Sequence, residues 1–134
     1  MSGAIAGIDH VAITAADLET TCAFYDRLFG AKTVVDHAPE GRSLVRQLLI
    51  GGAVLSVHQA GNGLDLVAKA PTIGAGDICF RWSGTADDAV QHLAVKNIAI
   101  VEGPAPRRTN DGRPSKSVYF RDPDGNLIEL MAAD

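Results

Sequence analysis

The sequence predicts an α+β fold of two βαβββ modules, at about residues 5–60 and 75–132, within one domain spanning 1–134. Three observations carry that prediction. Short apolar–polar alternations bounded by Gly, Pro and Asp recur along both halves. Each half holds one stretch with apolar residues at helical spacing. The order strand, helix, strand, strand, strand then repeats after a stretch of faded periodicity, which marks an internal duplication. The two sheets are expected to curve into an incomplete mixed barrel, a cup, with a helix on the outer face of each module.

The first strand is expected at Ile8–Thr14, with Val11 and Ile13 on one face and His10, Ala12 and Thr14 on the other. Asp17 follows as a plausible N-cap. Leu18, Cys22, Tyr25 and Phe29 then form the stripe of an amphipathic helix that stops at Gly30. Ala31–Asp36 and Ser43–Ile50 read as two strands joined by the polar turn around 37–41, and Ala53–His58 reads as a third after Gly51-Gly52. Between Gly61 and Gly76 the pattern fades into a surface connection.

The pattern restarts at Asp77–Trp82, with Ile78, Phe80 and Trp82 on one face and Asp77, Cys79 and Arg81 on the other. Thr85 and Asp88 resemble a capping box, and Ala86, Ala89, Val90, Leu93 and Ala94 form the apolar side of a second helix that ends near Asn97. Ile98–Val101, Lys116–Arg121 and Asn126–Met131 supply three more strands, the last two joined by Asp122-Pro123-Asp124-Gly125. Residues 102–114 read as a long structureless segment, either a solvated loop or a cover over the cup in which Arg107, Arg108 and Arg113 grip a carboxylate or phosphate. Aligning the two modules sets His10 over Asp77 and Ser56 over Glu129.

Composition narrows the function. Hydrophobic residues make up 46% and charged residues 21%, so a packed core is expected. A net charge of −4 gives no electrostatic footprint for nucleic acid. No apolar run approaches the roughly 20 residues of a membrane span, and no signal peptide is evident, so a cytoplasmic protein is expected. Cys22 and Cys79 are too few for a disulfide framework and are expected as small buried thiols. His37 in a turn and His92 on a helix are assigned to solvent.

The remaining polar residues concentrate on the inner faces. His10, His58, Asp77 and Glu129 occupy first or last strands of the two modules. Burying four such side chains is costly without a compensating partner, and a divalent cation supplies one. Two imidazoles with one or two carboxylates suit Zn, Ni, Mn, Fe or Co, with open positions for a substrate oxygen. A structural histidine at His10, a solvated His58 and a capping Asp77 are the alternatives for these residues.

Ile8-Asp9-His10-Val11-Ala12-Ile13, the helix end 24–30, and above all Val118-Tyr119-Phe120-Arg121-Asp122-Pro123-Asp124-Gly125-Asn126-Leu127-Ile128-Glu129-Leu130 resemble the vicinal oxygen chelate superfamily. That group includes glyoxalase I, extradiol dioxygenases, fosfomycin-resistance transferases and bleomycin-binding proteins. Val57-His58-Gln59, Asp77-Ile78-Cys79-Phe80 and Val101-Glu102-Gly103-Pro104 are similar to its small virulence-associated glyoxalase-domain members. The resemblance implies metal ligands at His10 and Glu129; if Glu129 leaves the coordination shell, it is also the candidate proton-transfer group. It also exposes two departures: Ser56 stands where glyoxalase I has a glutamate ligand, and Asp77 where many members have histidine. The implied function is a metal-dependent glyoxalase/lyase-like or dioxygenase-like enzyme acting on a small substrate that chelates the ion through vicinal oxygens, in a homodimer. The alternative is a metal-free protein that sequesters a small molecule or antibiotic, of the bleomycin-resistance type.

Overall fold

The computed structural model describes residues 2–133. Its contacts divide into two compact units, one up to Thr72 and one from Ile73 onward. The first contains β1 (Val11–Ala15), α1 (Leu18–Phe29), β2 (Lys32–His37), β3 (Val45–Ile50) and β4 (Ala53–Gln59). The second repeats the order with β5 (Asp77–Trp82), α2 (Ala86–Val95), β6 (Glu102–Arg108), β7 (Pro114–Arg121) and β8 (Leu127–Ala133). Each unit holds one four-stranded mixed sheet, ordered β1-β4-β3-β2 and β5-β8-β7-β6. In both, the first and last strands pair parallel and the rest antiparallel. Neither sheet closes into a barrel.

The duplication holds at the level of single residues. Ala12 pairs with Ser56 in the first sheet, and Cys79 pairs with Glu129 in the second. The edge strands β2 and β6 also each carry a register shift in their antiparallel pairing, between Thr33 and Val35 in β2 and between Glu102 and Ala105 in β6. Helix α1 stops on a left-handed C-cap, Gly30 at φ 65, and α2 on Lys96 followed by a left-handed residue, Asn97 at φ 59.

Helix α1 buries Leu18, Cys22, Tyr25 and Leu28 against β3 and β4. Leu28 takes the place expected of Phe29, whose half-buried ring stacks on Tyr25 at 6.3 Å. Beneath the helix lie Ile13, Ala15, Leu48, Ile50, Leu55 and Val57, each buried side chain of this size contributing roughly 1.5–3 kcal/mol. Asp17 is the N-cap by position, yet its side chain caps nothing. Gln59 acts instead: its Oε1 accepts from Leu18 N at 2.8 Å and its Nε2 donates to Ala16 O at 2.8 Å, tying the end of β4 to the helix start. In the second unit α2 buries Ala86, Ala89 and Leu93 over a layer containing Val118, Phe120, Ile128 and Leu130. Its Thr85–Asp88 capping box forms in full.

Several expectations need correction. The first strand begins at Val11, so His10 lies one residue before it, in extended chain. Ile98–Val101 is not a strand, and the supposedly structureless segment 102–114 contains β6 and the start of β7. Pro104 and Pro106 obscured it, but β6 is the outermost strand of its sheet, where a residue without an N–H is tolerated. The Gly103–Pro104 peptide is cis. His37 closes β2 and is not part of the turn. His92 is half-buried with its ring 5.2 Å from that of Trp82, and Cys79 is exposed.

Candidate metal centre

Side chains alternate along a strand, so the register decides which share the face opposite each helix. In the first sheet that face carries Ala12, Thr14, Gln47, Ser56 and His58. His58 pairs with Thr14 and Val45, so it stands four residues beyond His10 along β1, roughly 13 Å of strand rise. The two imidazoles nevertheless share a field: burial first, and the charge of His10 second, hold His58 below the ordinary imidazole value. Ser56 is buried and lies nearer to the level of His10.

His10 itself is partly exposed, and its Nδ1 lies 2.8 Å from Asp9 Oδ1. A carboxylate can only accept, so Nδ1 carries the proton of this contact, and in the neutral ring the lone pair lies on Nε2, where a ligand can use it.

In the second sheet the corresponding face carries Asp77, Cys79 and Arg81 on β5, Glu129 and Met131 on β8, and Ser117 and Tyr119 on β7. Asp77 pairs with Leu127, which makes it a diagonal neighbour of Glu129. Glu129 is flanked by Cys79 on one side and Tyr119 on the other. Although the residue as a whole is exposed, the protein packed around its sulfur pushes the Cys79 thiol up to about 11, with the neighbouring Glu129 carboxylate adding to the rise. Burial also raises the Tyr119 phenol, with Glu129 adding to it and Arg107 opposing it. Glu129 Oε2 is buried without a hydrogen-bond partner. An orphaned carboxylate oxygen is expensive in a folded protein unless something absent from the polypeptide meets it.

The sequence-predicted residues thus fall into two pairs, His10 with His58 and Asp77 with Glu129. Among the described residues no three His, Cys, Asp or Glu side chains converge as a preformed cluster. The donor chemistry still fits a divalent ion of the borderline series, given a free imidazole nitrogen, a second imidazole held neutral by burial, and a carboxylate oxygen with an empty acceptor site. Two participants escaped the sequence reading, and a third was given another role. Asp9 adjoins His10 in the chain and carried no signal beyond that, Tyr119 becomes a neighbour of Glu129 only through the β7–β8 register, and Arg107 was offered as a loop residue gripping a carboxylate or phosphate.

A βαβββ repeat with imidazole and carboxylate donors opposite its helices is the architecture expected of the vicinal oxygen chelate class. Residues 7–130 match the Glyoxalase/Bleomycin resistance protein/Dioxygenase superfamily, and the chain belongs to that family. It is similar to the virulence protein STM3117 of Salmonella typhimurium, 37% identical over 123 residues that cover 92% of this chain and 81% of that protein. A metallothiol transferase FosB from Lysinibacillus sphaericus is 31% identical over 135 residues, covering 94% of this chain and 82% of that one. Among solved structures, an integron cassette protein from the mobile metagenome of V. cholerae shares the fold at TM-score 0.87 and 34% identity, with 100% of both chains covered.

Proposed function

We propose that this protein is a metal-dependent enzyme acting on a small substrate that chelates the ion through neighbouring oxygens, in a reaction of the glyoxalase/lyase or dioxygenase kind. The ligand set in this reading is His10, His58, Asp77 and Glu129, with Zn, Ni, Mn, Fe or Co as the ion. The single observation that carries it is the buried, unpartnered Oε2 of Glu129. When bound, the ion supplies Lewis-acid stabilisation of negative charge developing on a substrate oxygen. The chain's own residues do the rest. Asp9 holds the His10 ring in the tautomer that presents Nε2, and burial keeps His58 neutral at pH 7. Once out of the coordination shell, Glu129 Oε2 can accept a substrate proton, at an atom that no protein donor competes for. The FosB relative, named a metallothiol transferase, supports a metal-using member of the family. A homodimer working in the cytoplasm completes the reading; among the described residues no helix is long and apolar enough to cross a membrane.

The test is metal content after loading with each of the five ions and desalting. Wild type is expected to retain about one ion per chain, and His10→Ala and Glu129→Gln far less. Equal, negligible retention in all three overturns the reading. The alternative, a metal-free sequestering protein, is separated by a thermal-shift screen. Stabilisation by a divalent ion alone supports the enzyme, and stabilisation by an organic compound with chelator present supports sequestration.

A further inference from the structure

Glu129 is the centre of a chain of donors that begins on the outermost strand of its sheet. Arg107 Nε donates to Tyr119 Oη at 2.7 Å, with the guanidinium carbon 5.3 Å from the ring centroid. The guanidinium is itself braced: its Nη1 donates to Pro106 O at 2.8 Å and its Nη2 to Glu102 at 3.1 Å. A phenol has one proton. Because Arg107 can only donate, Tyr119 Oη accepts from it and keeps its own proton to give. The acceptor on the same face is Glu129, directly across the β7–β8 register. Cys79 flanks the carboxylate from β5. Glu129 therefore has Tyr119 and Cys79 as its cross-strand neighbours, while its Oε2 has no hydrogen-bond partner.

We infer that Arg107 and Tyr119 form a relay, guanidinium to phenol to carboxylate, that positions Glu129 so that Oε2 alone faces the ligand. Tyr119 and Arg107 are positioning residues: they act through Glu129 and need not touch substrate. The two are energetically one device, because Arg107 reaches the carboxylate through the phenol. This inference deepens the proposed metal function and rests on it for its purpose, but the relay is a property of the metal-free chain and can be tested there.

The experiment uses the full chain labelled with carbon-13 at the glutamate carboxyl, without metal, the Glu129 signal being identified by its loss in Glu129→Gln. Tyr119→Phe and Arg107→Gln are each expected to move that signal. In the Tyr119→Phe background, Arg107→Gln should add almost nothing, whereas a bare field effect of the arginine would persist. Arg107→Lys, which keeps a charged donor, should restore most of the wild-type shift. A Glu129 signal unmoved by Tyr119→Phe, or moved equally by Arg107→Gln with and without the phenol, overturns the relay. Titration with Co(II) is the second arm: each single variant should bind about tenfold more weakly, and the double variant also about tenfold rather than a hundredfold. If wild type binds no Co(II) while the carbon-13 coupling is present, the metal reading fails and the relay stands; the reverse outcome removes the relay and leaves the metal.

Discussion

Replacing Asn126 by alanine should cost this small fold a large share of its stability, because the side chain makes two hydrogen bonds of a buried network. Asn126 and Asp122 are 1% and 5% exposed. Asp122 Oδ1 accepts from Asn126 N and Asp124 N, each at 3.0 Å, and its Oδ2 accepts from Asn126 Nδ2 at 2.8 Å. Asn126 Oδ1 in turn accepts from Gly76 N at 2.6 Å, and Leu127 N donates to Gly76 O at 3.0 Å. Asn126→Ala therefore removes the partner of the Gly76 N–H and one hydrogen bond to a buried carboxylate. An unsatisfied buried group costs roughly 1–3 kcal/mol and a charged one more, so a loss of about 3 kcal/mol is expected. In a chain of this size that lowers Tm by about 10 °C. Urea unfolding followed by tryptophan fluorescence, with calorimetry beside it, measures both. Asn126→Asp should fare no better, since it sets a second carboxylate against Asp122. The network ties the start of β5 to the start of β8, and hence Asp77 to Glu129, so Co(II) binding should weaken in parallel. A loss below about 1 kcal/mol at unchanged denaturant slope would refute the claim that these two hydrogen bonds hold the junction of β5 and β8.

Two further perturbations probe the separate units. His58 is held below the ordinary imidazole value of 6.5 by burial and then by His10, so the unfolded chain takes up the proton first. Stability should be full above about pH 6.5 and decline as the pH falls from there towards the folded value, and His58→Gln should flatten that part of the urea-midpoint profile; an identical slope in both proteins would contradict the placement of His58. Gly103→Ala should loosen the β6–β7 pairing by about 2–3 kcal/mol, since Gly103 sits at φ 103 and an added Cβ would run into the Ser117 carbonyl and the Val118 Cα. Hydrogen exchange should accelerate in β6 and β7 and stay unchanged in β3 and β4.

Much of this architecture was legible because the two periodicities are strong where burial is one-sided. Asp77–Trp82 could be bounded to the residue, as its alternation is uninterrupted. The αL stops at Gly30 and Asn97 were equally readable, because few residues tolerate that conformation. Strand β6 was hidden by Pro104 and Pro106, whose usual meaning is loop and whose acceptability depends on a place at the sheet margin that only the topology reveals. Gln59 as the true partner of the α1 start was invisible for a similar reason, since it is distant in sequence. At the site, periodicity could put Glu129 in a strand and on a face. The free state of its Oε2 depends on which atoms Cys79 and Tyr119 reach, and no spacing rule encodes that.

The outer margins of the two sheets have diverged in a way that matters for handling the protein. Every residue of β2 is exposed, Val34 and Val35 among them, and none is a proline, so its outward amides and carbonyls remain competent to template a foreign strand. Strand β6, its counterpart, carries two prolines that break such a rail. Association by strand addition at high concentration would therefore start from the N-terminal half, and a single charge placed at Val35 is the economical guard against it.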